Sequence, residues 1–227
     1  MPLNRHFPFV SYALTGFRTT RAMLYLICAA LLTIGLRYGY WVVIQRRCVE
    51  IDNGLVWQTG VMQPLKLHRF VERHKIHTVV DFRRLDEPAD QSEAELLSRL
   101  NVEYIRIPCD RSPTSASIAR FLSVIQQRRL NHQATLIHCK DGEGRAVFFG
   151  AIYRIEFNGL SPRQAYAAQR RLPCDLMWLR HLIPNVGLFS NQNPKKQLLL
   201  SYAPTLQAPS PSKSVLAIPL SNVVPAS

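Results

Sequence analysis

The sequence predicts an α/β fold with a central, mostly parallel sheet flanked by helices and preceded by a long apolar helix. Short apolar stretches typical of strands alternate with segments of helical spacing from about residue 54 onwards. Such alternation is typical of parallel sheets, because a helix usually connects one parallel strand to the next. Two further features support this reading: a glycine-containing loop between a predicted strand and a predicted helix, and an apolar run over 22–44.

The predicted elements follow one another closely along the chain. Strands are expected over 54–58, 78–82, 103–107 and 134–138, and helices over 63–75, 91–100, 114–130 and 144–157. A further helix begins at Ser161-Pro162, where serine is a good N-cap and proline suits the first turn. The last predicted helix covers 174–183. Because ligands of such sheets bind beyond the carboxyl ends of the strands, the end of strand 134–138 is the expected position of a site.

The chain divides into four segments, and its length of 227 residues fits one domain with appendages. They are a basic N-terminal segment (1–21), an apolar segment (22–44), a folded domain (50–190) and a tail (191–227). Residues 1–47 carry six arginines and no acid, and residues 192–227 carry three lysines and no acid, which leaves +4 of the net charge of +13 for the middle. The tail is rich in Pro, Ser and Gln, which predicts disorder.

The apolar segment 22–44 predicts a single-pass membrane anchor. Its first uninterrupted part, up to Leu36, would span only about 22 Å as a helix, which is shorter than a hydrocarbon core of about 30 Å. The full segment is long enough, provided that Arg37 snorkels towards the interface. Tyr38, Tyr40 and Trp41 would form an aromatic belt. A cleaved signal peptide and a buried core helix are the alternatives; no small-residue cleavage site follows Leu36, which favours the anchor.

Arginines on both sides of the apolar segment bear on its orientation. Arg5, Arg18 and Arg21 precede it, and Arg46 and Arg47 follow it. The slight excess before the segment favours a cytoplasmic N-terminus and a domain on the extracytoplasmic side, which is the periplasm in a bacterium. The basic ends fit a membrane surface, and the domain has no basic helix with interleaved aromatics, so no nucleic-acid partner is predicted.

The most informative stretch of the chain runs from His138 to Arg145. Cys139 and Arg145 are separated by five residues, and the loop between them follows the apolar strand 134–138 and precedes an apolar-periodic helix. Such a loop can direct its backbone N–H groups at an anion, aided by the helix N-terminus, while the arginine closes the site with a bidentate fork. Those donors would hold Cys139 as a nucleophilic thiolate. The alternative is a buried cysteine in an ordinary turn.

A second pair with the same spacing tests how specific this signal is. Cys174 and Arg180 enclose Asp-Leu-Met-Trp-Leu, a stretch without glycine. That composition predicts an amphipathic helix rather than an anion site. The context of the first loop, and in particular Gly142 and Gly144, which tolerate unusual backbone angles, therefore carries the prediction.

The residues His138-Cys139-Lys140 and the following Gly and Arg resemble the His-Cys-x-x-Gly-x-x-Arg signature of the cysteine-dependent phosphatases. The likeness is closest to the small dual-specificity and tyrosine-phosphatase-like branch, of the bacterial small type. It extends over roughly 54–171, including the strand-then-arginine segment that ends at Arg83. The resemblance implies an α/β phosphatase domain whose phosphate-binding loop lies between a strand and a helix.

The resemblance also implies roles for the residues that match the signature. Cys139 would be the nucleophile, Arg145 the phosphate clamp and Asp110 the general acid, with Asp86 and Asp90 as rival acids beside Glu87. The remaining loop residues would bind the substrate, with His138 also holding the loop: His138, Lys140, Asp141, Gly142, Glu143 and Gly144. The loop donors would do the electrostatic work, so no metal or other cofactor is expected, and the other histidines show no ligand spacing.

Two residues depart from the family pattern. Family members usually carry Ser or Thr after the arginine, where the hydroxyl helps the thiolate leave, but this chain has Ala146. Hydrolysis of a phosphocysteine is therefore expected to be slow. Asp141 and Glu143 add two acids to the loop, which argues against a highly charged inositol polyphosphate as the substrate.

The sequence as a whole predicts a membrane-tethered phosphatase that acts on a phosphoprotein. Phosphotyrosine is the expected substrate, with phosphoserine or phosphothreonine also considered. A phosphate-binding pseudophosphatase and a lipid or inositol phosphate phosphatase are the alternatives. The five cysteines show no disulfide framework, and Cys109 is either an ordinary strand-end cysteine or a protective partner for Cys139. The sequence sets no oligomeric state.

Overall fold

The computed structural model describes residues 10–87, 91–110, 112–169, 172–173, 176, 178–179 and 193–206. Its helices are α1 (Val10–Gly39), α2 (Pro64–His74), α3 (Gln91–Arg99), α4 (Ser115–Leu130), α5 (Arg145–Asn158), α6 (Pro162–Ala168) and α7 (Pro194–Leu200). Its strands are β1 (Val49–Asp52), β2 (Val56–Gly60), β3 (Ile76–Asp81), β4 (Glu103–Arg106) and β5 (Ala134–Cys139). The helix predicted over 174–183 lies largely outside the described residues.

The five strands form one sheet in the order β1-β2-β5-β3-β4. β5 lies between β2 and β3 and is parallel to both, and β4 is parallel to β3. Only β1 is antiparallel to its neighbour. The predicted α/β fold with a mostly parallel sheet is therefore confirmed, and the order places β5, the strand that ends at Cys139, at the centre of the sheet.

The structure adds one strand that the sequence interpretation missed. β1 and β2 form a hairpin around Asn53-Gly54, where Gly54 has a φ of 68°. An Asn-Gly pair between two short strands is a hairpin signal, and here Gly54 supplies the positive φ while the Leu55 N–H closes the turn on the Asp52 carbonyl at 3.0 Å. The prediction of a single strand over 54–58 overlooked it.

Helix α5, which begins at Arg145, packs in the centre of the core. Every residue from 146 to 156 is buried, so both faces of the helix are covered. Phe149 of this helix stacks on Phe82, which follows β3, with ring centroids 4.0 Å apart. The rigid packing of α5 fixes the position of the loop that leads into it.

The apolar N-terminal segment forms one helix that runs into a π-helical turn at Tyr40–Ile44. Over Thr20–Ile44 its mean hydropathy is 1.7 and only 6% of the apolar window is buried, which is unlike a core helix. Its length and composition match a membrane span, and a signal sequence near an N-terminus has the same properties. Trp41 is the residue of the π-helical turn that is buried, and its indole N–H donates to the Cys48 carbonyl at 3.3 Å.

Residues 193–206 differ from the disordered tail that was predicted from residue 191. They include α7 and pack on the domain: Leu199 is fully buried, and Tyr202 contacts the core cluster. The buried carboxylate of Glu156 accepts hydrogen bonds from the Tyr202 hydroxyl, from the backbone N–H and hydroxyl of Thr205, and from the Leu206 N–H. The prediction of disorder rested on the Pro, Ser and Gln content and did not weigh these buried apolar residues. Residues 207–227 lie outside the described part of the chain.

Candidate active site

The candidate site lies where the parallel strands end. Cys139 is the last residue of β5, and Gly60 of β2 is its register partner. The segments after β3 and β4 reach the same edge, because all four strands are parallel. This is the edge at which open α/β sheets bind ligands, and the structure brings Cys139, Arg145 and the segment containing Asp110 together there.

The loop from residue 140 to residue 144 is a series of bends between β5 and α5. Gly142 has a φ of 70°, and a Cβ atom there would lie 2.6 Å from the backbone nitrogen of Gly60. Its lack of a side chain is therefore required both by conformation and by close contact with β2. Gly144 differs from the expectation: its φ is −119°, and a Cβ atom there would meet the end of the flexible Lys195 side chain, whose Nζ lies 3.0 Å away.

The carbonyl groups of the loop are occupied from its outer side. The N–H of Val61 donates to the carbonyl oxygens of Cys139 and Lys140, at 2.9 Å and 3.1 Å. Within the described part of the chain, none of the backbone N–H groups of residues 140–145 donates a hydrogen bond to a protein acceptor. Consecutive backbone N–H groups that have no protein acceptor, at the N-terminus of a buried helix, are suited to bind an oxyanion.

The segment that follows the apolar helix supports the loop from the same outer side. Arg47 donates to the Asp141 carbonyl at 2.9 Å and forms an ion pair with the exposed carboxylate of Glu143. Arg46 donates to the Val61 carbonyl at 2.8 Å. The positive charge of Arg47 compensates one of the two loop acids, which weakens the sequence argument that these acids disfavour a highly charged substrate.

Arg145 is held by the loops that follow β3 and β4. One of its terminal nitrogens donates to the carbonyl oxygens of Phe82 and Cys109, at 3.0 Å and 3.3 Å. Both terminal nitrogens bind the carboxylate of Glu87, at 2.6 Å and 3.0 Å. The Nε edge of the guanidinium makes no hydrogen bond with the described residues and remains free for a ligand oxygen.

The bond to Arg145 lowers the pKa of Glu87 from 4.5 to about 2. A lowered pKa in the folded state contributes stability above the unfolded value of 4.5, and that contribution is lost as the pH falls towards 2. We expect Glu87→Gln to destabilise the protein by up to about 1 kcal/mol at pH 7, because the pair is only partly buried. Urea titrations should show the difference from wild type shrinking as the pH falls below about 4.5.

The control for this prediction is Asp86→Asn. Asp86 pairs with Arg84 in the same loop and is far more exposed, whereas the hydrogen bonds of the Arg145 side chain go to Phe82, Glu87 and Cys109. It should also leave the affinity for inorganic phosphate unchanged, whereas Glu87→Gln should weaken it, since the guanidinium loses its positioning partner. Equal effects of the two variants would contradict the specific role of Glu87.

His138 lies beneath the loop in a buried charged cluster. Its Nε2 is 3.3 Å from a carboxylate oxygen of Glu93, and its Nδ1 is 3.8 Å from Asp81. Arg83 binds both acids: its Nε donates to Asp81 at 2.8 Å and one of its terminal nitrogens pairs with Glu93. Burial lowers the pKa of His138, against the effect of the two carboxylates. Of the three side chains that could share a cation, Asp81, Glu93 and His138, the two acids are thus already bound by the Arg83 guanidinium.

Asp110 lies on the segment that contacts Arg145, directly after Cys109. Its side chain is 85% exposed and lies 3.6 Å from Nε of Arg84. An exposed carboxylate at the rim can reach a leaving group without displacing core residues. The rival Asp86 is paired with Arg84 in the other loop, and Asp90 lies outside the described residues.

Exposure differs among the residues of the loop. Lys140, Asp141 and Glu143 are exposed, whereas Cys139 and Ala146 are buried. Cys109 is buried as a free thiol, as is Cys139. Burial raises the pKa of the Cys109 thiol to about 11, which keeps it protonated at neutral pH. Cys174 and Arg180, the second pair with the same spacing, lie outside the described residues.

Comparisons with known proteins agree with this geometry. The model of the tyrosine-phosphatase-like phytase family matches residues 58–155, which contain the whole loop. The description of that family names inositol hexakisphosphate. This match covers less than half of the chain, and residues 58–155 are similar to the small cysteine-dependent phosphatase-like family. The resemblance predicted from the loop residues is thereby confirmed. A search of curated proteins finds no significant match.

Solved structures match the chain at low identity. The core catalytic domain of the PP-IP phosphatase SIW14 from S. cerevisiae, solved with citrate, is 14% identical with a TM-score of 0.53, over 69% of this chain and 85% of that one. Tk-PTP is 21% identical with a TM-score of 0.50, over 67% and 91%. TpbA from P. aeruginosa is 19% identical with a TM-score of 0.46, over 71% and 94%.

Sequence reasoning missed the partners that hold the loop from elsewhere in the chain. Glu87 was noted only as a neighbour of two candidate acids, and Arg47 only as a charge after the apolar segment. Lys195 lies beyond the predicted start of the tail and reaches the loop, but in the sequence it is only one more basic residue. The alternation of glycine and acid in the loop gave no signal for these contacts, because each depends on how distant segments are placed by the sheet.

Proposed function

We propose that the phosphatase-like domain hydrolyses phosphate monoesters through a phosphocysteine on Cys139. The observation that supports this most directly is the combination of unbonded loop amides with the open Nε edge of Arg145 around a buried thiol at a helix N-terminus. These donors suit the equatorial oxygens of a transferring phosphoryl group, whose charge persists in the loose transition state.

The reaction proceeds in two steps. In the first, the Cys139 thiolate attacks phosphorus in line, the S–P bond forms and the ester P–O bond breaks, while Asp110 gives its proton to the leaving oxygen. In the second, water attacks the phosphocysteine, Asp110 accepts the proton of the water, and the S–P bond breaks to restore the thiolate. The exposed position of Asp110 at the rim fits both transfers.

Two substrate classes are proposed for this chemistry. The His-Cys-Lys resemblance supports phosphotyrosine, and possible cleavage of phosphoserine or phosphothreonine is part of the same proposal. The phytase-like family model and the PP-IP phosphatase SIW14 support an inositol phosphate instead, and the apolar segment and Lys140 favour a lipid headgroup. Release of phosphate from matched panels of phosphopeptides and phosphoinositides, by wild type and by Cys139→Ser, will rank the two classes.

Because Ala146 has no hydroxyl, we expect hydrolysis of the phosphocysteine to be the rate-limiting step. The rate of that step distinguishes an enzyme from a pseudophosphatase. With p-nitrophenyl phosphate we expect a burst of one equivalent of nitrophenol followed by slow turnover, because no hydroxyl at position 146 assists departure of the thiolate. Ala146→Ser should raise the steady-state rate several-fold without changing the burst amplitude. Stopped-flow absorbance measures both quantities.

Two other outcomes of the burst experiment would contradict an active phosphatase. A burst without any later turnover would support the phosphate-binding pseudophosphatase, and no burst at all would contradict phosphoryl transfer to Cys139. Lys140→Gln is a suitable control, since Lys140 is exposed and lies away from position 146 in the loop; it should leave the ratio of burst rate to steady-state rate unaltered.

Membrane attachment through residues 22–44 is part of the proposal. Arg46 and Arg47, which follow the apolar helix directly, donate to the carbonyl oxygens of Lys140 and Asp141 in the loop, so an anchor would hold the site close to the membrane surface. The arginine distribution favours the extracytoplasmic side. Fractionation of the full chain, with protease protection of the domain, tests the anchor and its orientation together.

A further inference from the structure

We propose that Arg47 is a positioning residue of the loop, which holds the backbone N–H groups near Cys139 in the orientation that phosphoryl transfer requires. The inference rests on the proposed function, since it assumes that the loop binds the phosphate ester. It gives a role in the site to a residue that follows the apolar segment and lies outside 58–155, the part of the chain that matches the family model.

The guanidinium of Arg47 contacts the loop at two points, on either side of Gly142. One terminal nitrogen donates to the Asp141 carbonyl oxygen at 2.9 Å, and the other pairs with the carboxylate of Glu143. The side chain of Arg47 is 20% exposed, whereas that of Glu143 is 62% exposed. An ion pair with so exposed an acid contributes little, so the charge-assisted bond to the backbone carbonyl is the stronger contact. Arg47 therefore acts mainly on the backbone of the loop.

The bond to the Asp141 carbonyl sets the direction of the next amide. A peptide unit is planar and trans, so the C=O of Asp141 and the N–H of Gly142 point in opposite directions. The N–H of Val61 binds the carbonyl oxygens of residues 139 and 140 in the same way, at 2.9 Å and 3.1 Å. Three consecutive carbonyl groups are thus held, and the N–H groups that follow them are directed away from Arg47 and Val61. Consecutive N–H groups with one common direction suit an oxyanion.

The backbone that carries this guanidinium is itself fixed. Arg46 and Arg47 have φ angles of 52° and 56°, which residues with a side chain adopt only where other contacts compensate the strain. The Arg46 carbonyl accepts hydrogen bonds from the Gly60 N–H at 2.8 Å and from the Thr59 hydroxyl at 3.0 Å. The Arg47 N–H donates to the Trp41 carbonyl at 3.0 Å. Strand β2 and the π-helical turn together fix the point from which Arg47 reaches the loop.

The position of the Gly142 amide matters for the rate of phosphoryl transfer. Hydrogen-bond donors lower the barrier when they already point at the charge of the transition state. Without Arg47 the Asp141 carbonyl loses its partner, and the peptide unit is free to rotate because glycine tolerates a wide range of backbone angles. We therefore expect slower transfer to Cys139 rather than loss of the fold.

The experiment measures the burst of nitrophenol from p-nitrophenyl phosphate in Arg47→Gln and Arg47→Lys, with the full chain in detergent. The burst amplitude counts the folded, reactive molecules, and the burst rate constant at saturating substrate reports phosphoryl transfer in each of them. Partial unfolding therefore lowers the amplitude alone. We expect the rate constant to fall about tenfold in Arg47→Gln, because misplaced donors lose transition-state stabilisation. It should fall about threefold in Arg47→Lys, because an ammonium group can still bind the Asp141 carbonyl but lacks the fork.

A wild-type rate constant in either variant overturns the inference. If Arg47→Gln yields no folded protein, the rate constant of Arg47→Lys decides alone. The dependence on salt then separates position from charge, because salt screens the attraction between exposed charges and the substrate. The ratio of wild-type to variant rate constants should be the same at low and at high concentrations of NaCl. A ratio that falls to one at high salt would show that Arg47 acts only through its charge, which also overturns the inference.

The matched control is Arg73→Gln, which makes the same substitution at an exposed position. Arg73 lies in the last turn of α2, just before β3 begins, whereas Cys139 lies where the parallel strand β5 ends. The control thus removes the same charge at the opposite edge of the sheet. It should leave the burst rate constant unchanged, and a loss equal to that of Arg47→Gln would contradict a specific role of Arg47.

A binding measurement separates this inference from the proposed function. In the background of Cys139→Ser, calorimetry at high salt measures the affinity for orthophosphate, so no turnover is needed. In a protein without hydrolysis, weaker binding on addition of Arg47→Gln supports the inference while the proposed function fails, and unchanged binding overturns both. In a protein with hydrolysis the burst rate constant decides, and a wild-type value overturns the inference while the proposed function stands.

Discussion

Replacing Cys139 with serine should lower the turnover of phenyl phosphate by at least about 10⁴-fold, because removal of a nucleophile that forms a covalent intermediate leaves only binding and electrostatic stabilisation. Serine has nearly the same shape, and Cys139 is buried at the end of the central strand, so the fold should persist. Binding of inorganic phosphate should persist as well, since the loop amides and Arg145 are unchanged. Steady-state kinetics and calorimetry on the same preparation measure both effects.

Thiol labelling provides an independent readout of the same residue. Burial raises the pKa of the Cys48 thiol to about 12 and that of Cys109 to about 11, so both are protonated and slow to react at pH 7. Iodoacetate, itself an anion, should therefore label Cys139 ahead of these two, and inorganic phosphate should protect it. Cys48→Ser is the control and should keep full turnover. Undiminished turnover in Cys139→Ser would exclude the phosphocysteine.

Replacing Arg83 with leucine should destabilise the domain by about 3–5 kcal/mol, because a buried ion pair that loses one partner leaves uncompensated charge. Arg83 is 5% exposed and binds both Asp81 and Glu93 beneath His138. Arg106, whose Nε lies 3.7 Å from Asp81, can compensate only part of the two negative charges, so much of their desolvation is no longer compensated. Urea titration of the full chain in detergent, followed by tryptophan fluorescence, measures the loss.

The pH dependence of this loss identifies its electrostatic origin. In the native cluster burial alone would raise the pKa of Asp81, but His138, Tyr104 and Arg83 outweigh it and lower that pKa. A lowered pKa supplies stability above the unfolded value that disappears as the pH falls. In Arg83→Leu this lowering of the Asp81 pKa is weaker, because Tyr104 and the backbone N–H of residue 83 still donate to the carboxylate but the charge of the guanidinium is gone. The stability gap between variant and wild type should therefore narrow from pH 7 to about pH 4.

Arg84→Leu is the control for Arg83→Leu, because it makes the same substitution at the next residue of the same loop. Arg84 is half-exposed and pairs with Asp86 at the surface, so Arg84→Leu should change the free energy of unfolding by about 1 kcal/mol or less. A small difference in the free energy of unfolding between Arg83→Leu and wild type, or a difference that stays constant with pH, would contradict the proposal. The buried ion pairs beneath His138 would then not be needed to stabilise the domain.

The features that were predictable from the sequence are those carried by consecutive residues. The strand 134–138, the loop after it and the helix that begins near 144 are adjacent in the chain, so their pattern reports their structure directly. The class of fold followed from the alternation of strands and helices, and the family resemblance followed from the loop. The β1–β2 hairpin was missed although Asn53-Gly54 signalled it, and the ordered segment 193–206 was missed because its apolar anchors lie within a polar, proline-containing stretch.

The sequence by itself determined the chemistry of the loop, because backbone amides, a cysteine and an arginine within eight consecutive residues need only a local turn to converge. Only the tertiary structure decided what surrounds that loop. Glu87 reaches Arg145 across 58 positions of the chain, Arg47 reaches Asp141 across 94, and Lys195 reaches Gly144 from the C-terminal side. Those contacts depend on the order of the strands and on the packing of α5, which no local pattern of residues contains.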